Sequence, residues 1–312
     1  MKKILVTSGT VFVSRYIAEY FIAKGDEVYV MNRNSRTQSA GVKLIQADRH
    51  HLGEILRQYH FDAVIDVTAY TAEDVDLLLD ALDGYDEYIL ISSSAVYPEY
   101  CEQPFSEETP SGANKFWGKY GINKMKAEEA LQKRVPNAYI LRPPYLYGPM
   151  NNVYREAFVF DCALRNRKFY LPGNGEMKLQ FFHIYDLCRF IDVILNNKPH
   201  QHIFNVGNKD VVSIRKWVEL CYQIVGKQVD FVNVEDDTEQ RNYFSFYHYE
   251  YYLDVSKQYE LMQDVKSLYD VKPLYDVKPL YDGLEESFEW YKNNSGEVIQ
   301  KPYFDYIDNN LL

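Results

Sequence analysis

Residues 2–31 constrain this chain more than any other stretch. Lys2–Thr7 is a short charged start followed by an apolar run, the pattern of a parallel strand buried on both faces. Ser8–Ser14 reads as a turn and Arg15–Lys24 as a helix. Gly25 follows as a C-cap, where the left-handed conformation ends a helix at little cost. Glu27–Met31 is a second apolar strand, which completes a βαβ unit. Further short strands are expected at Leu44–Gln46, Asp62–Val67, Tyr88–Ile91 and Tyr139–Arg142, alternating with helices such as Ala72–Leu82 and Ala127–Arg134. That alternation predicts an α/β fold with a doubly wound parallel sheet.

A chain of 312 residues is long enough to bury a large core. Its formal charge of −11 argues against a broad polyanion-binding surface, because phosphate backbones need clustered Lys and Arg. Nucleic acid is therefore not the expected partner, although a local basic pocket stays open. No apolar run approaches the roughly 20 residues needed to span a bilayer, and the chain opens on a strand rather than a leader pattern. Cys101, Cys162, Cys188 and Cys221 lie without metal-ligand or redox spacing. No metal site is expected, and reduced thiols in a cytoplasmic protein are the reading.

The chemistry gathers between Ile89 and Lys124. An apolar strand ends in Ser92-Ser93-Ser94, and Tyr120-Gly121-Ile122-Asn123-Lys124 heads a helical pattern. Tyr120 and Lys124, four apart, share one helix face. Free tyrosine has a pKa of about 10, and a cation held close favours the phenolate. Such a tyrosine serves as general base or acid near neutral pH. The spacing alone is weak evidence among 29 tyrosines: Tyr20 and Lys24 match it too, in a helix where packing explains both. The serine-tipped strand upstream sets Tyr120 apart.

These marks resemble the extended short-chain dehydrogenase/reductase proteins, the NAD-dependent epimerase/dehydratase family acting on nucleotide sugars. The resemblance is carried by ILVTSGTVFVS, ISSSAVYP, YGINK, LRPPYLYGP, the QFFHIYDL run and IFNVGN, over nearly the whole chain. It implies a Rossmann-like dinucleotide-binding domain over 1–150, rejoined by a late strand near 203–207. A mainly substrate-binding domain would cover 151–312. It also implies a catalytic set of Ser93, Tyr120 and Lys124. Ser94 and Ala95 stand where dehydratases of this family carry an Asp-Glu pair, which argues against water elimination.

The cofactor loop departs from the family. Ser8, Val11 and Ser14 occupy the three glycine positions, with Gly9 beside the first. The glycines serve the turn, the approach of the pyrophosphate and helix-on-strand packing. Serines are small enough for the outer positions; Val11 crowds the middle one. The resemblance still places Ser8, Gly9, Thr10, Val11, Phe12 and Val13 along the cofactor. It adds Asn32, Asp48, Arg49, Thr68, Ala69 and Tyr70, with Lys124 on the ribose. Asn32 holds the slot of an acidic residue that would grip the ribose of NAD. Arg33 and Arg36 follow it, and guanidinium groups suit a 2′-phosphate. NADP(H) is therefore favoured over NAD(H); two solvated loop arginines are the alternative.

For the substrate, a nucleotide sugar by resemblance, the matching positions are Ser94, Tyr145, Asn152, Lys178 and Arg241. Leu179 stands where an arginine usually grips the diphosphate, with Lys178 beside it. His183 and Asp186 read as structural. Residues 265–282 repeat VKSLYD, VKPLYD and VKPLYD. Proline in two copies excludes a regular helix there, so an extended surface excursion is expected before a helix at Glu285–Lys292. The family also implies dimerisation through the helices near 72–82 and 120–134. A non-catalytic alternative belongs to another class. Divergent relatives, among them chloroplast stem-loop-binding proteins, handle RNA or sense nucleotides.

Overall fold

The computed structural model of the chain describes residues 1–235, 238–269 and 277–312. It divides into two compact units. The first comprises Met1–Pro144, Ile184–Gly207 and Leu253–Val277; the second comprises Tyr145–His183, Asn208–Tyr252 and Lys278–Leu312.

The first unit is built on β1 (Lys3–Thr7), α1 (Phe12–Ala23), β2 (Glu27–Asn32), β3 (Lys43–Gln46), β4 (His60–Asp66), α2 (Ala72–Ala81), β5 (Gly84–Ile91), α3 (Gly118–Arg134) and β6 (Tyr139–Arg142). A seventh strand, Ile203–Asn205, lies beside β6. The sheet runs Ile203–Asn205, β6, β5, β4, β1, β2, β3, and every pairing is parallel. Strand order reverses at β1, so a crevice opens beyond the carboxyl ends of β1 and β4, where ligands of such sheets bind. Ile4, Leu5, Val6, Val64, Ile65, Ile89 and Leu90 are fully buried, as expected of strands covered by helices on both faces. Thr71 caps α2 in a reciprocal capping box with Asp74.

The second unit packs small sheets among helices. Tyr145–Tyr147 runs parallel to Phe181–His183, and Phe169–Pro172 runs parallel to Phe231–Val234. Its core is aromatic: Trp217 stacks on Phe181 at 5.6 Å and meets Phe246 edge-on at 5.3 Å. Ser213 caps the helix Ile214–Ile224 by accepting from the Lys216 amide. The carboxy-terminal helix Tyr303–Asn310 docks through Tyr303, stacked on Tyr154 at 5.9 Å.

Two expectations need correction. Helix α1 begins at Phe12 rather than Arg15, so the loop after β1 is tighter than the turn read from Ser8–Ser14. The hexamer repeat is not an extended excursion at its two ends. Residues 265–269 of the first copy, with serine in place of proline, continue the helix Ser256–Tyr269. In the third copy Pro279 immediately precedes the helix Leu280–Asn294, a position proline tolerates because a helix's first amides need no intrahelical partner. The second copy, 271–276, lies outside the described residues.

Candidate active site

The polar residues of the first unit gather at the carboxyl ends of its strands. After β1 the chain turns sharply: Ser8 and Gly9 both take left-handed backbone, with φ of 73° and 78°. A Cβ on Gly9 would lie 2.3 Å from Val30 Cγ1, so glycine is required for the loop to close onto β2. The loop delivers Thr10 and Val11 to the start of α1, with Phe12 and Val13 in its first turn. Val11 contributes no side-chain cap, and that turn holds no acidic residue. The first amides of a helix lack intrahelical partners and attract anions.

Asn32, at the end of β2, is tied into this loop. Its Nδ2 donates to Ser8 O at 2.6 Å and to Gln38 Oε1 at 3.0 Å, and its Oδ1 accepts from the Asn34 amide at 2.8 Å. Arg33 and Arg36 are exposed on the segment that follows. Asp48 accepts from the His50 amide at 3.0 Å, and that bond holds its carboxyl below the usual carboxylate range.

Sequence reasoning missed the group at the centre of the crevice floor, Asp66 at the tip of β4. It is fully buried. It accepts from Arg49 Nη2 at 2.5 Å and Nη1 at 3.1 Å, from Thr7 Oγ1 at 2.8 Å and from Tyr88 Oη at 2.7 Å. Burial alone would raise its pKa, but the Arg49 charge and these bonds hold it below the usual range. Arg49 also donates to Asp74 O at 2.9 Å, so its guanidinium is committed inside the protein. Thr68, Ala69 and Tyr70 leave β4 under this control. Thr68 N reaches Thr7 Oγ1 at 3.2 Å, and Tyr70 N reaches Asp74 Oδ2 at 3.0 Å. An acid at the carboxyl end of the apolar run Ala63–Ile65 was the signal available.

Ser93 follows β5 and starts a single 3-10 turn, its Oγ accepting from the Ala95 amide at 3.2 Å. Ser94 is buried in that turn. Helix α3 passes close by: a Cβ on Gly121 would stand 2.4 Å from Ala95 O, so this glycine lets the helix approach the serine turn. The approach sets Tyr120 and Lys124, on either side of Gly121 in the helix, differently. Tyr120 is 41% exposed, while Lys124 is 2% exposed. Lys124 Nζ donates to Ala69 O at 2.8 Å and Ile91 O at 3.0 Å and lies 4.9 Å over the Tyr70 ring. Burial lowers its pKa to about 8. The Tyr70 ring stands 6.4 Å from that of Tyr120. One turn further, Glu128 is buried and paired bidentately with Arg142, at 2.5 Å for Nη2 and 3.1 Å for Nε, and accepts from Ser92. Glu128 and Arg142 also escaped the sequence reading, though Glu128 continues the spacing of Tyr120 and Lys124.

In the second unit, Tyr145 is buried, its ring 4.7 Å from Phe246 and 5.6 Å from Tyr251. The Asn152 carbonyl accepts from Ile299 N at 2.9 Å. Lys178 is exposed, its amide held by Glu250 at 2.7 Å. Arg241 donates to Ser245 O and lies over the Tyr247 ring at 4.7 Å. His183 is fully buried, which lowers its pKa to about 3, and Asp186 pairs with Arg189 at 3.1 Å.

Fold and strand-tip residues together define a Rossmann-like doubly wound α/β protein. A profile described as the NAD dependent epimerase/dehydratase family matches residues 4–207, and the chain belongs to that family. The chloroplast stem-loop binding protein of 41 kDa b from Arabidopsis thaliana is 26% identical over 282 residues, covering 82% of this chain and 73% of the relative. A UDP-glucose 4-epimerase from Corynebacterium glutamicum is 25% identical over 273 residues, covering 73% of this chain and 82% of the relative. Among solved structures, a dTDP-glucose 4,6-dehydratase from Bacillus anthracis in complex with NAD shares the fold. Its TM-score is 0.73 at 18% identity, over 96% of this chain and 99% of that one. A UDP-glucose 4-epimerase from Thermotoga maritima with UDP-glucose does so at a TM-score of 0.75 and 18% identity, over 94% and 99%.

The residues present fit a dinucleotide. The start of α1 carries neither a side-chain cap nor an acid. The left-handed pair Ser8 and Gly9 turns the loop toward the strand ends. The donor chemistry therefore suits a pyrophosphate, which the uncapped amides at the start of α1 would hold.

Proposed function

We propose that the protein is an NAD(P)-dependent epimerase or reductase/dehydrogenase acting on a nucleotide sugar or related polyol. The observation that carries this reading is the pinning of Lys124 between Ala69 O and Ile91 O, beside the Ser93 turn and one helical turn from Tyr120. A bound nicotinamide would supply the hydride acceptor or donor. Tyr120 takes the proton from a substrate hydroxyl during oxidation and returns it during reduction. Ser93 Oγ orients that hydroxyl by hydrogen bonding. The Lys124 ammonium favours the phenolate by its charge and would hold the ribose of a bound cofactor. Arg33 and Arg36 favour the 2′-phosphate of NADP(H), and Asn32 offers no carboxylate to a ribose diol.

Tyr145, Asn152, Lys178 and Arg241 belong to the unit assigned to the substrate. Two of them, Lys178 and Arg241, supply positive charge for a diphosphate in place of the arginine absent at Leu179. All four cysteines are free, which suits a reducing, cytoplasmic setting. Dimerisation through α2 and α3 accompanies this reading. One observation favours the non-catalytic alternative, a nucleotide sensor or RNA binder: the likeness to the Arabidopsis stem-loop binding protein. The charge of −11 opposes its RNA form.

The test is turnover on a panel of UDP-, dTDP- and GDP-sugars with NADP⁺ or NAD⁺, for the natural chain and Tyr120→Phe. Activity that falls by about 10²-fold or more in the variant supports the enzyme. No turnover in either chain, together with salt-sensitive RNA binding, would support the alternative; equal turnover in both would remove Tyr120 from the reaction.

A further inference from the structure

Resting on the proposed redox role of Lys124, we propose that Arg49 and Asp66 are positioning residues for Lys124, acting through the segment Thr68–Tyr70. The geometry forms a closed chain of contacts. Asp66 takes Arg49, Thr7 and Tyr88, and its Oδ1 accepts from the Thr68 amide at 3.3 Å. Arg49 reaches across to Asp74 O. Asp74 Oδ2 in turn accepts from the amides of Tyr70 at 3.0 Å and Thr71 at 2.9 Å. The segment is thus held from both ends, and its middle residue supplies the Ala69 carbonyl that Lys124 grips. Its next residue supplies the ring above the ammonium.

The pair also sets the charge around Lys124. The groups facing the ammonium are Asp66 and Arg49 on the crevice floor, Asp74 at the start of α2, and Glu128 on α3 itself. Tyr70 lies over it. Glu128 is neutralised by Arg142 and Asp66 by Arg49, so the buried ammonium sits beside two internally balanced pairs. Breaking one pair must therefore displace Lys124's proton affinity in a direction set by the charge that remains. Removal of Arg49 leaves a carboxylate that strengthens the protonated form. Removal of the Asp66 charge leaves a guanidinium that weakens it. The opposition of sign reads the charge of the pair at Lys124, and the turnover of the double variant reads its hold on the Thr68–Tyr70 segment.

The experiment uses the full chain with ¹³Cε-labelled lysine, the Lys124 resonance being assigned by Lys124→Arg. Its titration midpoint is followed in the natural protein, Arg49→Met, Asp66→Asn and the double variant. The expected result is a midpoint raised in Arg49→Met, lowered in Asp66→Asn by about half a pH unit or more, and restored toward the natural value in the double variant. The double variant leaves neither member of the pair charged without its partner, so it serves as the control where a single variant does not fold. Its turnover should nevertheless stay below that of the natural protein, because the Thr68–Tyr70 segment has lost its anchors. Midpoints that do not move, or move in the same direction in both single variants, would overturn the proposal, as would a double variant with natural turnover. Failure of the redox reading is separate: opposed midpoints in a protein that turns over no substrate would retain the positioning role and remove the reaction.

Discussion

The Lys124 ammonium donates to the carbonyl of Ala69 at 2.8 Å, joining residues 55 apart in the chain. Through that bond the helix α3 holds the segment that leaves β4. With Ile91 O at the end of β5 as the second acceptor, Lys124 ties that segment to the neighbouring strand and presents its charge one turn from Tyr120. The buried lysine therefore carries a structural cost that can be measured apart from any effect on turnover.

The cost is visible in stability against pH. Lys124 releases its proton at about 8 in the folded chain, against an ordinary 10.5. Between those values the unfolded state binds more protons than the folded one, so stability rises with pH across that window. The burial penalty is fully present below about pH 8 and is relieved by about 10.5. Relative to Lys124→Met, the natural protein should gain up to about 3 kcal/mol over that range. Urea denaturation of both chains at successive pH values checks this; a constant difference would contradict the buried-ammonium account.

The two glycines of the site should fail in different ways. Gly9→Ala places a methyl group 2.3 Å from Val30 Cγ1 on backbone with φ of 78°. The combined clash and left-handed strain should cost about 2–4 kcal/mol of stability. Gly121→Ala meets the Ala95 carbonyl at 2.4 Å and must push α3 away from the serine turn. Its turnover should fall by more than its dinucleotide affinity. Thermal melts paired with kinetics and binding separate the two effects.

Asn32 yields a prediction opposed to the simple family rule. An aspartate there would restore the ribose-binding acid, yet Asn32 Nδ2 donates to Ser8 O and Gln38 Oε1. Asn32→Asp removes both donors and sets a carboxylate against a carbonyl. It should destabilise the loop by about 1–3 kcal/mol without improving NAD⁺ affinity. Arg33→Ser or Arg36→Ser should weaken NADP⁺ by about tenfold and leave NAD⁺ unchanged. Calorimetry on the three variants distinguishes these outcomes.

Much of this was legible in the chain because local signals agreed with the global fold. The apolar runs at β1, β4 and β5 have no polar alternative to burial, and the spacing of Tyr120 and Lys124 gave the helix face directly. What escaped was long-range pairing. Nothing near Asp66 in sequence announces Arg49 as its partner, and nothing near Glu128 announces Arg142. The start of α1 was placed three residues late because Val11 and Phe12 lack a capping side chain. The hexamer repeat hides its helices because proline breaks a helix from inside, whereas Pro279 stands just before one.

The central claim is that the altered loop after β1 still binds a dinucleotide beside Tyr120 and Lys124. Calorimetric titration of the purified chain, cleared of any carried-over cofactor, with NADP⁺ and then NAD⁺ tests it most directly. Micromolar binding, tighter for NADP⁺, is the predicted result. No heat of binding from either dinucleotide would contradict the account, leaving Ser93, Tyr120 and Lys124 in place without the cofactor their chemistry requires.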